Sequence, residues 1–73
     1  MSVNYNKLGT ICELLRQWLP NYELRLMFEL EYVKIMLIGD RVYNFTVMLD
    51  YLNSHNDSEI AEYIYDNMAI NVK

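Results

Sequence analysis

The sequence predicts an α+β fold of order αβββα, a three-stranded antiparallel meander with helices packed on one face, in a single domain spanning residues 1–73. Three observations carry this expectation. Apolar residues recur at helical spacing between Tyr5 and Leu19, they alternate with polar ones from Glu23 to Leu49, and helical spacing returns after Asn56.

The first helix rests on Tyr5, Leu8, Cys12, Leu15 and Leu19, with Ile11 and Trp18 widening the stripe. Asn4 is the favoured N-cap and Ser2 the alternative, because a short polar side chain can accept from an orphan amide there. Gly9 costs the helix about 1 kcal/mol relative to Ala, which points to a close backbone approach. Pro20 ends the helix by pushing Leu19 out of the helical region.

In the middle segment, Leu24, Leu26, Phe28 and Leu30 alternate with Glu23, Arg25, Met27 and Glu29. Val33, Ile35 and Leu37 alternate with Lys34 and Met36, and Tyr43, Phe45, Val47 and Leu49 alternate with Asn44, Thr46 and Met48. Such alternation fits strands with one covered and one open face. The first reversal falls near Glu29–Tyr32, and Gly39-Asp40 marks the second, with glycine expected to supply a positive φ. Two registers compete at this second turn. A two-residue loop pairs Ile38 with Arg41 and puts Leu37 and Val42 on one face, whereas an odd-length loop sets Leu37 beside Tyr43. The odd-length loop is preferred because it groups the larger aromatics with the aliphatics.

The last helix starts at Asn56-Asp57-Ser58-Glu59, a capping side chain followed by first-turn acids, and buries Ile60, Ala61, Ile64, Tyr65 and Met68. Asp50-Tyr51-Leu52 is expected to form a short helical turn before it, and Ala69–Lys73 to fray or run along the domain edge.

Composition bounds the function. A chain of 73 residues with 53% hydrophobic and 14% aromatic residues is small, yet too apolar to stay disordered. The lone cysteine, Cys12, excludes an internal disulfide and reads as a buried apolar side chain in a reducing compartment. No basic start followed by an apolar run opens the chain, and its longest near-apolar stretch, Tyr32–Ile38, is too short to cross a bilayer. A cytoplasmic protein without membrane contact is expected.

Catalytic, metal and cofactor residues are expected to be none. His55 lies in a polar stretch and reads as a solvated loop histidine, and one His with one distant Cys makes no metal-ligand set. Two isolated glycines cannot build a phosphate loop. Glu29 and Glu31, at a strand end, fit the blunting of a sheet edge. Six scattered bases in an acidic chain give no patch for direct nucleic-acid contact.

Charge placement is more informative. Residues 1–49 balance five acids against five bases, whereas residues 50–72 carry Asp50, Asp57, Glu59, Glu62 and Asp66 and no base, so the net charge of −4 resides at the C-terminal end. Glu59, Glu62 and Asp66 form an acidic stripe with Tyr63 beside it. It is either the wet face of an amphipathic helix or a surface matched to a basic host protein, including a nucleic-acid-binding protein whose cleft it would occupy. In the preferred register Met27, Met36 and Met48 point away from the helix-covered face together with Ile38 and Val42. Adaptable methionine on an open face marks an interface, and a homodimer packed sheet to sheet is the simplest closed arrangement. In the other register these methionines are core.

Eight Asn, seven Tyr and six Ile against two Ala and one Pro point to AT-rich codons and to a low-GC bacterium or its virus. A short, acidic, Tyr- and Asn-rich chain of αβββα order without catalytic apparatus resembles the small inhibitor proteins of bacterial viruses, including some anti-CRISPR proteins. The resemblance lies in architecture and composition alone and implies a non-enzymatic inhibitor or modulator of a larger host protein. The alternative is a self-associating structural or accessory protein.

Overall fold

A computed structural model describes residues 3–71, with side chains described through Met68. Helix α1 (Tyr5–Trp18) leads into strands β1 (Glu23–Phe28), β2 (Tyr32–Ile38) and β3 (Val42–Met48), followed by a short helix α2 (Leu49–Ser54) and by α3 (Asp57–Asn71). The sheet is an antiparallel meander of order β1-β2-β3, so β2 is central and β1 and β3 are edges. The architecture is the expected α+β one, and the short helical turn expected at Asp50-Tyr51-Leu52 is the six-residue α2.

The helix ends follow their local chemistry. Asn4 caps α1 with its Oδ1, which accepts from the Lys7 amide at 3.2 Å; Ser2, the alternative, lies outside the described residues. Leu19, immediately before Pro20, leaves the helical region with φ −130° and ψ 64°. At α3 the Asn56 Oδ1 accepts from the Ser58 amide at 2.9 Å, while the Asn56 carbonyl accepts the first intrahelical bond from Ile60. The helix continues through Ala69–Asn71, where fraying was expected, and residues 72–73 lie outside the described residues.

The second hairpin takes the odd-length loop. Leu37 pairs with Tyr43 and Ile38 with Val42, leaving Gly39, Asp40 and Arg41 as the turn. Gly39 does not have the expected positive φ. A β-carbon there would stand 2.7 Å from Cδ2 and 2.8 Å from Cε2 of Tyr22, so the position needs glycine for space. Gly9 shows the reverse. A β-carbon there would meet nothing within 4 Å, so the expected close approach is absent.

The core lies between the helices and one sheet face. Val33, Ile35 and Leu37 of β2 and Tyr43 and Val47 of β3 meet Leu8, Ile11, Cys12 and Leu15 of α1, Leu49 and Leu52 of α2, and Ile60, Ala61, Ile64 and Met68 of α3. Full burial of each large aliphatic contributes about 1.5–3 kcal/mol. Four aromatics assigned to buried stripes are exposed instead: Tyr5 (68% exposed) rests against Phe28 with the rings tilted at 54°, and Trp18 meets Tyr65 in a T-shaped contact at 5.6 Å. Leu30, expected to continue the covered face of β1, is 87% exposed in the turn that follows it. Leu49, expected to end the third strand, starts α2 instead.

The open face carries Met27, Met36, Ile38, Val42 and Met48, as the odd-length register requires. It is not a continuous methionine surface. Lys34 sits between Met27 and Thr46, and Arg25 beside Met36 holds Glu23 in an exposed ion pair at 2.6 Å.

Candidate functional site

Helix α3 turns Ile60, Ala61, Ile64 and Met68 inward, and its 3.6-residue period puts Glu59, Glu62, Tyr63 and Asp66 outward on one exposed crest. Of the acids at positions 50–66, Asp57 alone is paired among the described residues. Its Oδ1 accepts from the Lys7 Nζ at 2.6 Å, and the same ammonium donates to the His55 carbonyl at 2.6 Å. Glu59, Glu62 and Asp66 have no ion-pair partner among the described residues.

Two depressions flank this crest. On the β3 side a groove of about 260 Å³ is lined by Thr46, Val47, Met48, Tyr51, Ile60 and Tyr63, and its exposed surface is mainly apolar. On the α1 side Trp18 and Tyr65 meet Glu62 and Asp66 in a more open depression. A third hollow places Leu30 and Glu31 of the β1–β2 turn against Met48, Leu49 and Asp50, held by the Leu49 amide donating to the Glu31 carbonyl at 2.9 Å.

The two surfaces predicted from sequence therefore meet at one place. Tyr63 of the acidic stripe and Met48 of the methionine set line the same groove. Met27 and Met36 lie elsewhere on the open sheet face, apart from the crest. Sequence reasoning missed Tyr51 and Leu30 here. Tyr51 was readable only as a residue of a short turn, and Leu30 only as part of an alternating strand. Their exposure beside Met48 depends on how β3 turns directly into α2.

His55 stacks on Tyr51 with ring centroids 3.8 Å apart, and its Nδ1 lies 3.1 Å from both the Tyr51 carbonyl and the Ser54 hydroxyl. Cys12 is buried in the core, and desolvation pushes its thiol above the ordinary value despite the opposing charge of Arg16. Tyr22, just before β1, donates to Asp40 in the β2–β3 turn at 2.5 Å. No helix among the described residues is long and apolar enough to cross a membrane.

No known protein family, curated protein or solved structure matches the chain.

Proposed function

We propose that this chain is a non-enzymatic binding protein, of phage or mobile-element origin, that inhibits or modulates a larger host protein in the host cytoplasm by docking its acidic α3 crest on a basic surface. One observation carries the reading: Glu59, Glu62 and Asp66, without an ion-pair partner among the described residues, stand between two depressions lined by exposed Tyr63, Tyr51 and Met48 on one side and by Trp18 and Tyr65 on the other. Charge of one sign steers encounter, and aromatic side chains beside it supply the contact area that holds a complex. A solvated helix face needs the acids alone. The origin rests on composition and element order.

The test compares the wild-type chain with a triple variant carrying Glu59→Gln, Glu62→Gln and Asp66→Asn, in capture from the lysate of a low-GC bacterium and then in association kinetics with the captured protein. The wild type should associate more slowly as salt rises from roughly 0.05 to 0.5 M, and the variant should associate slowly with little salt dependence. Equal kinetics for the two chains would reject charge complementarity on this helix.

The second reading is self-association through the open sheet face, favoured by Met27, Met36, Ile38 and Val42 lying there together. Lys34 at the centre and the Glu23–Arg25 pair at the rim weigh against it. Sedimentation of the wild-type chain at tens of micromolar decides, since a strict monomer removes the dimer.

A further inference from the structure

We propose that the outer edge of β3 takes an extended, basic segment of the partner as a fourth strand, with an apolar side chain of that segment seated in the groove of Met48, Tyr51 and Tyr63. The proposal rests on the docking reading above and specifies the form of what docks.

The geometry of the edge comes first. Gly39 donates to the Arg41 carbonyl and Leu49 to the Glu31 carbonyl, both at 2.9 Å, which turns the backbone groups of the odd-numbered residues of β3 toward β2. Alternation then aims the N–H groups of Asn44, Thr46 and Met48 and the C=O groups of Asn44 and Thr46 outward. Among the described residues none of these groups has a hydrogen-bond partner. The chain turns at Met48 into α2, and α3 passes beside the edge as the far wall of the groove, contributing Ile60 and Tyr63 without pairing with the strand.

The two sheet edges differ in protection. Edge strands are ordinarily blunted by charge, proline or bulges. On the open face β1 carries Glu23 and Arg25, linked at 2.6 Å. The corresponding positions of β3 are Val42, Asn44, Thr46 and Met48, all exposed, none charged and none proline. An edge left open beside an apolar groove has the two components of recognition by strand addition: main-chain hydrogen bonds for affinity and a pocket for alternate side chains.

Charge selects the occupant. A second copy paired antiparallel through β3 would offer the acids of its partner a single base, Arg41, whereas an extended basic segment offers several. A cationic strand meets the opposite field of residues 50–72: its apolar residues turn toward Tyr63, and its basic ones toward the other face beside Asn44 and Thr46, where β3 presents no base.

The probe is an end-blocked peptide of about seven residues alternating Lys and Val, with an equivalent alternating Glu and Val as control. Amide hydrogen exchange of the wild-type chain should slow about ten-fold or more at Asn44, Thr46 and Met48 on adding the basic peptide, and not with the acidic one. Thr46→Pro removes an outward N–H without touching the β2 ladder, so it should fold and should weaken peptide binding about ten-fold or more. Protection confined to α3 with those three amides unchanged would overturn strand addition while leaving the acidic docking reading intact. Equal protection by both peptides, or no protection by either, would overturn it as well.

Discussion

Gly39 and Tyr22 are 17 positions apart in sequence and in contact in space, and the one fixes what the other can be. Turn statistics name glycine at position 39 for its φ, yet its φ is unexceptional and the Tyr22 ring is the constraint. Gly39→Val should therefore destabilise the domain by about 1 kcal/mol or more, because the ring must swing away and release Asp40. A denaturation midpoint equal to that of wild type would show that Tyr22 moves freely. The Tyr22–Asp40 hydrogen bond also sets a pH window. It holds the Asp40 carboxyl below its ordinary value, and it is the largest cause of the Tyr22 hydroxyl being pushed up to about 12. The depressed carboxyl contributes above the ordinary Asp value of about 3.9 and its contribution is lost as pH falls through the lower folded value. The raised hydroxyl contributes below its ordinary value of about 10 and its contribution is lost as pH rises through about 12. Tyr22→Phe should raise the Asp40 titration midpoint seen by carboxyl-carbon NMR. An unshifted midpoint would assign the depression to the backbone amides of the turn.

At the scale of elements, α1 carries a cost with no structural return. Gly9 is exposed within the helix and has open space where a β-carbon would go. Gly9→Ala should stabilise the protein by roughly 0.5–1 kcal/mol, read as a higher midpoint of chemical denaturation. No gain would mean that the helix there is already held by its packing. Elements were the most legible part of the sequence. The period-two pattern and the preference for grouping Tyr43 with Leu37 placed the register where it lies, so the open-face position of Met27, Met36 and Met48 followed. The errors sit at the margins of stripes. Periodicity shows which way a side chain faces, but not how far the opposing element extends. Tyr5 and Trp18 stand at the two ends of α1, where the packed seam stops and each rests on an aromatic neighbour, Phe28 and Tyr65.

For the molecule as a whole, the charge asymmetry written in the sequence becomes a surface, but not the one a charge count implies. Lys7 crosses from α1 to neutralise Asp57, while the crest farther along α3 has no ion-pair partner among the described residues. That division was invisible in sequence because it needs residue 7 beside residue 57. The groove was equally illegible, being built from three elements that meet only after β3 turns into α2. The packing of α1 against α3 bears on the order in which the structure can assemble. Each strand of the meander pairs only with its neighbour in sequence, so the sheet closes short loops at low entropic cost. The seam between Leu8, Ile11, Cys12 and Leu15 and the inward face of α3 joins segments about fifty residues apart. On the ribosome, the apolar stripe of the first helix can meet the sheet once residues 33–47 have emerged, but its contact with α3 waits for residues 57–68. During that interval the nascent chain leaves open the part of the first helix that the finished protein hides under α3.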